Sequence, residues 1–192
     1  MEFTKYELYD LLNRPGPLWL TSADLSDVDM TGIDLNHAYL FDVDLTGTEL
    51  YKATLSYAYL VKAHLSGANL NCADLRCANL SHANLAQAHL VGADLSGANL
   101  AGANLSGVNL NKAHINGADL TDANLNGTRL MDGVDMSGAN LSGATFRLAS
   151  LSDVDLSSVD LSRANLNCAI YIAAFTKWPD GFDPHKAGAT QA

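Results

Sequence analysis

Acidic groups are the side chains this chain supplies most freely for chemistry. Of its 192 residues, 21 are Asp or Glu against 11 Lys or Arg, six are His and three are Cys, for a formal net charge of −10. Carboxylates and imidazoles can hold a metal or exchange protons, and thiolates can act as nucleophiles, once several of them converge. Local spacing provides no such convergence. GxSxG, P-loop, CxxC and HExxH patterns are absent, and the His are scattered. Cys72 and Cys77 are five apart and Cys168 is distant, an odd set that reads as free thiols in a reducing compartment. What does recur is a carboxylate or carboxamide set between Ala and Leu, as in Ala68-Asn69-Leu70, Ala73-Asp74-Leu75, Ala93-Asp94-Leu95 and Ala98-Asn99-Leu100. Residues so arranged predict no catalytic set, no metal site and no cofactor.

A five-residue period, running from residue 23 to residue 168, positions these groups. With the Leu as the central position i, centres fall at every fifth residue from Leu25 to Leu130, slip by one at Met131-Asp132-Gly133, and resume from Met136 to Leu166. Of the 29 centres 25 are Leu, and 20 of the residues at i−2 are Ala. Period five fits neither the 3.6 of a helix nor the two of a strand, but it fits a chain that turns a corner in every repeat. Positions i−2 and i then face inward on a short extended piece. Positions i−1, i+1 and i+2 face outward or form the corner, and they are mostly Asn, Asp, Ser, Thr and Gly. Eleven of the 15 Gly sit at i+2, where a turn residue with positive φ is wanted. All four Pro lie outside the repeats, as they must if each repeat donates to a ladder. A repeat this strict leaves little room for an ordinary enzyme, because most residues answer to geometry.

The Ala-(Asp/Asn)-Leu-x-x motif resembles the pentapeptide-repeat family, and residues 23 to 168 carry the resemblance. It implies an all-β solenoid, a right-handed quadrilateral β-helix with four repeats per coil and about seven coils. Residues twenty apart would then stack, with coils ~4.8 Å apart and a rod roughly 35 Å tall. The segment Thr176-Lys177-Trp178-Pro179-Asp180-Gly181-Phe182 resembles the tails of cyanobacterial members.

Stacked in that way, two surfaces stand out. One column reads Asp34, Thr54, Asp74, Asp94, His114, Asp135, Asp155. Its acidity has two readings: short side chains at i−1 satisfying turn backbone, or a stripe selected to imitate a nucleic-acid backbone. Some family members resemble duplex DNA in shape and charge, bind DNA gyrase in its place and cause quinolone resistance, so the resemblance implies that alternative function here. Direct binding of nucleic acid is disfavoured by like charge. The second surface is aromatic: Tyr39 and Tyr59 stack at i−1, Phe41 lies beside them, and Tyr51 and Tyr57 lie on the two preceding sides. Such a patch marks a contact, either within the chain, covered by the N-terminal segment, or with a second protein. The leading expectation is therefore a non-enzymatic scaffold or protein-interaction module. Its protein partner stays unidentified, and a homodimer through the aromatic patch or an end cap is possible.

Both ends differ from the repeats. Residues 1–17 hold a capping box, Thr4 to Glu7, and an apolar stripe, which predict a helical cap before Asn13-Arg14-Pro15-Gly16-Pro17. Residues 18–169 are expected to form the β-helix. Residues 170–192 bring an apolar, aromatic run that reads as the second cap and tail, with 186 to 192 expected to fray. No apolar run is long enough to span a membrane and the start has no signal-peptide design, so a cytoplasmic location is expected.

Overall fold

In the computed structural model, which describes residues 16–192, one device turns the corner in each repeat. The N–H of each i−2 residue donates to the carbonyl of the preceding centre, Ala63 to Leu60 at 3.0 Å and Ala68 to Leu65 at 3.1 Å. Positions i+1 and i+2 are the middle of that turn, and i+2 is left-handed at every repeat from Ser22 to Asp153, with φ near 60° at Lys62 and 68° at Gly67. A type II turn requires positive φ at its third residue. Non-glycine residues hold that conformation at a cost of roughly 1–2 kcal/mol each, which accounts for the glycine enrichment at i+2. At Gly102 space is a further reason, since a Cβ would come within 2.6 Å of the His82 Nδ1 one coil before it.

Four corners bring the chain back over itself after twenty residues. From Trp19 to Ser150 each i−1 residue except Asn140 pairs in parallel with the i−1 residue of the next coil: Asp24 with Asp44, Asp29 with Glu49, Asp34 with Thr54, Tyr39 with Tyr59. The Leu45 N–H donates forward to His64 at 2.7 Å, and the Asp44 N–H donates back to Ala23 at 2.9 Å. One pairing residue per side is all that a corner every five residues permits, so the sides are columns of single bridges rather than strands. Among the described residues the strands are β1, Ile170–Tyr171, and β2, Thr190–Gln191, paired in parallel.

Four sides result, each named here by its i−1 column. The asparagine side starts at Asp24 and includes Asn84, Asn104 and Asn124. The mixed-charge side starts at Asp29, the acidic side at Asp34, and the aromatic side at Trp19. The mixed-charge and aromatic sides lie opposite one another across the square.

All centres from Leu20 to Leu166 are buried, each Leu worth roughly 1.5–3 kcal/mol over exposure. Two threonines share the inward i−2 position with the alanines. Thr48 and Thr128 stay satisfied there because their hydroxyls donate to the carbonyls of Leu25, at 2.8 Å, and Leu125, at 2.7 Å. Leu18 and Leu20 are buried around Trp19, one repeat before the first counted centre at Leu25. The insertion falls where expected: His114 pairs with Asp135, while Asp135 again pairs with Asp155 twenty residues on.

At the far end Tyr171 and Trp178 pack edge to face at 5.3 Å, Trp178 stacks on Phe182 at 5.4 Å, and Trp178, Phe182 and Ala187 pack against the core. The expected fraying of 186 to 192 is not found. Thr190 N–H donates to Ala169 at 2.7 Å and Ala192 N–H to Tyr171 at 2.9 Å, so the last residues add a rung to the mixed-charge side. Backbone pairing outweighs the small, polar composition that suggested a loose tail. The predicted N-terminal helix falls on residues outside the described set, apart from Gly16 and Pro17, which are not helical.

Candidate interaction surface

The acidic column assembles as read: the bridges run Asp34, Thr54, Asp74, Asp94, His114, Asp135, Asp155 and end on Lys177. Each of its carboxylates also accepts from the backbone N–H two residues on, at 3.0 Å for Asp34, Asp94, Asp135 and Asp155 and 3.1 Å for Asp74. Asn99 does the same for Ala101 at 3.0 Å with no charge at all. The position thus calls for an Asx side chain, and either member serves.

Cations further occupy the column. Arg76 holds Asp74 through two short bonds, 2.8 Å from Nε and 2.6 Å from Nη2, and its Nε lies 3.9 Å from Asp94. The Arg76 bond is the main reason the Asp74 carboxyl is lowered to about 2. Lys177 Nζ donates to Asp155 at 2.8 Å and is the main cause of its lowering to about 2. Asp135 is held below the usual carboxylate range chiefly by the Ser137 N–H. Asp34 accepts from the Thr54 hydroxyl at 3.2 Å.

Where i−1 is neither Asp nor Asn, a substitute recurs. An Asn at i+1 of the preceding coil accepts the turn N–H instead: Asn36 for Ser56 at 2.8 Å, Asn71 for Val91 at 2.8 Å, Asn111 for Met131 at 3.2 Å and Asn126 for Arg147 at 2.7 Å. These turns lie above Thr54, His89, Arg129 and Thr145. The sequence carries this signal as Asn placed eighteen or nineteen residues before a non-Asx i−1, and the reading of the repeats missed it.

The aromatic residues that head the fourth column, Tyr39 and Tyr59, have neither provision, whereas Asn79, Asn99 and Asp119 farther along it accept their turn N–H in the usual way. Trp19 stacks on Tyr39 at 3.9 Å and 10°, and Tyr39 on Tyr59 at 6.0 Å and 24°. Among the described residues no side chain accepts the N–H of Phe41 or Val61, the turn residues beside Tyr39 and Tyr59. The residues one coil earlier at i+1 are Thr21 and Phe41, neither of them an Asn. Trp19 is 71% exposed and Tyr59 53%, with Phe41 exposed beside them and the Lys62 Nζ 5.9 Å from its ring centre. Tyr57 stands at the adjoining corner, stacked on His37 at 5.2 Å. Tyr51 lies across the rod on the mixed-charge side, under Lys52 at 5.1 Å, and joins no ring pair among the described residues. Trp19 was missed because the repeats were counted from Leu25, although Leu18-Trp19-Leu20 keeps the apolar frame and sits twenty residues before Tyr39.

Other chemistry is thin. Among the described residues no three His, Cys, Asp or Glu gather around a point, and Cys72, Cys77 and Cys168 are free and exposed. A groove of about 260 Å3 beside the insertion brings Asp135, Asp153, Asp155 and Lys177 together with Phe175. No helix of the described residues is long and apolar enough to cross a membrane.

A family model of pentapeptide repeats matches the chain with 8 copies, over residues 20–56, 48–87, 78–117, 88–127 and 130–167. No curated protein is significantly similar in sequence. Among solved structures the chain is similar to HetL, a pentapeptide repeat protein involved in heterocyst differentiation regulation from the cyanobacterium Nostoc sp. strain PCC 7120. They are 30% identical over 91% of this chain and 74% of that one, with a TM-score of 0.64. Two forms of QnrB1, a plasmid-mediated fluoroquinolone resistance protein, are similar at 19% identity. One covers 92% of this chain and 90% of that one with a TM-score of 0.51, the other 91% and 82% with 0.53. Pentapeptide-repeat proteins are right-handed quadrilateral β-helices, and these likenesses give the coil that fold and hand.

Proposed function

The chain belongs to the pentapeptide-repeat family, and on that premise we propose that it is a non-enzymatic interaction scaffold that meets a protein partner through its aromatic side. The observation that carries this reading is the Trp19–Tyr39–Tyr59 column. It takes the position that Asp and Asn use to serve the turn, supplies no turn acceptor among the described residues, as Glu49, His64 and His114 also do not, and unlike them presents exposed, stacked aromatic surface. Surface of that kind is enriched at protein contacts. Asp24, Asp42 and Asp44 lie at its margins, so a fitting partner offers an apolar patch rimmed by Lys or Arg.

The second reading is a DNA-mimic protein that binds DNA gyrase. Five carboxylates in one column and a net charge of −10 favour it. Arg76, beside the column, and Lys177, at its end, pair with three of the five and weigh against it. So does the turn bond that every one of the five makes.

Two variants separate the readings. Tyr39→Ser with Tyr59→Ser removes aromatic surface, while Asp74→Asn, Asp94→Asn and Asp135→Asn together remove three charges and keep the turn acceptors. We expect the native protein to leave gyrase supercoiling unchanged at micromolar concentration. We expect proteins captured from the native host to be lost with the tyrosine variant and kept with the asparagine variant. Salt-sensitive inhibition of gyrase by native protein, abolished in the asparagine variant, would overturn the scaffold in favour of the mimic.

A further inference from the structure

We propose that the mixed-charge side is the interface of an antiparallel two-fold dimer of this chain. Along the i−1 column of this side the charge changes sign: Asp29 and Glu49 lie toward the N-terminal end and Arg129 toward the C-terminal end, with His89 midway. The neighbouring corner column changes sign the other way, from Lys52 to Asp132. Glu49, Lys52, Arg129 and Asp132 are exposed, and none forms an ion pair among the described residues.

A two-fold axis lying in the face and crossing the rod at the level of His89 reverses the order of the coils. It keeps each residue's place across the side. Glu49 then meets Arg129 of the second copy four coils away, and Lys52 meets Asp132 over the same interval. One axis satisfies both columns, and because the interface is isologous each pair occurs twice. The remaining contacts are compatible: Asn69 meets Asn109, Tyr51 meets Met131, Lys112 meets Cys72, Asp29 meets Ser150, and Val91 meets itself. Sulfur against an aromatic ring is a favourable contact. No position on the side brings two like charges together.

The acidic and aromatic sides do not fold onto themselves in this way, and the asparagine side does so without forming an ion pair. Reversed on itself, the acidic side sets carboxylates against carboxylates, and the aromatic side sets rings against Asn99, Asp119 and Asn140. Glu49 and Arg129 stand ~19 Å apart along the rod at ~4.8 Å per coil, so the contact sits at the small end of specific interfaces. Association is expected in the micromolar range, and it weakens with salt because the charge pairs lie near solvent. The inference goes beyond partner binding and does not depend on it. The aromatic side is across the rod, so the dimer presents both aromatic columns outward.

Sedimentation velocity over a concentration series, at low and high salt, tests this. The native protein should dimerise reversibly at low salt and dissociate at high salt. Glu49→Lys or Arg129→Glu alone should weaken association about tenfold or more, since each creates two like-charge contacts. The double variant, Glu49→Lys with Arg129→Glu, should restore it to near the native value. All these residues are exposed, so thermal melts should stay unchanged and serve as the folding control. A native protein that is monomeric at every concentration in low salt overturns the proposal. So does a dimer indifferent to the single reversals, or a double variant no better than the singles. Failure here leaves the aromatic reading intact, because Tyr39→Ser with Tyr59→Ser is predicted to leave this dimer unaffected.

Discussion

On the acidic side Asp74 and Asp94 accept their turn N–H at 3.1 and 3.0 Å; on the aromatic side the side chains of Tyr39 and Tyr59 hold the same position and accept no hydrogen bond among the described residues. The backbone is the same in both places, left-handed at Tyr57 and Lys62 as at Cys77 and Gly97. What differs is whether the outward residue serves the coil. A carboxylate at i−1 is explained by the turn before any partner is invoked, so acidity there is weak evidence of DNA mimicry. An aromatic ring at i−1 cannot be explained by the turn. Its stacking recovers part of what is lost, yet more than half of Tyr59 stays exposed. In a solenoid built by repetition, the informative residues are those that decline the repeat's own requirement.

The comparison concerns outward positions only, and inward ones should treat the two sides alike. Leu95 lies behind Asp94 and Leu40 behind Tyr39, both fully buried. Leu95→Asp and Leu40→Asp each place an unpaired carboxylate in a close-packed interior, for a loss of about 3 kcal/mol or more. Chemical denaturation should find both losses large and similar. A mild loss at Leu40 alone would mean that the aromatic side is not a regular part of the coil.

Outward substitutions should then split the sides in sign. Tyr59→Asn supplies an acceptor for the Val61 N–H and should raise stability by about 1 kcal/mol while weakening partner capture. Asp94→Ala removes an acceptor and should lower stability by about 1 kcal/mol, whereas Asp94→Asn should be close to neutral. If Tyr59→Asn destabilises as much as Asp94→Ala, the aromatic column is holding the coil together and its claim as a binding surface falls.

Most of the coil was legible because the period is a direct consequence of its geometry. The inward Ala and Leu, the left-handed i+2 and the slip at Asp132 all followed from spacing, and the acidic column assembled as read. The place of Trp19 at the head of the aromatic column was not legible, since Pro17 and an aromatic residue at i−1 obscure the motif there. Nor was the ordered end: Thr190 and Gln191 have no repeat around them, and only the open edge at Ile170 explains their pairing. The role of Asn71 and Asn111 was hidden for a different reason. Their bonds run between coils, to residues twenty away, and a window of five does not contain both partners.

The smallest expected effect separates the sides by pH. Asp74 is lowered from 3.8 to about 2, first by its bond to Arg76. A carboxyl whose pKa is depressed by folding stabilises the folded state above its unfolded value and loses that contribution as pH falls through the folded one. Stabilisation from this pair is therefore complete above 3.8, declines between 3.8 and about 2, and is gone below. Arg76 is 56% exposed, so solvent screens the pair and the effect should be slight. Melting temperatures of native protein and Asp74→Asn should differ modestly near neutral pH, with the native higher. The gap should close across that window and shrink in high salt. Tyr59→Asn changes no group that titrates there, so its gain over native should stay constant through the same range. A constant gap for Asp74→Asn down to pH 2 would detach Arg76 from Asp74 in solution. The acidic column would then carry more uncompensated charge than the pairing allows, and the comparison would swing back toward the mimic.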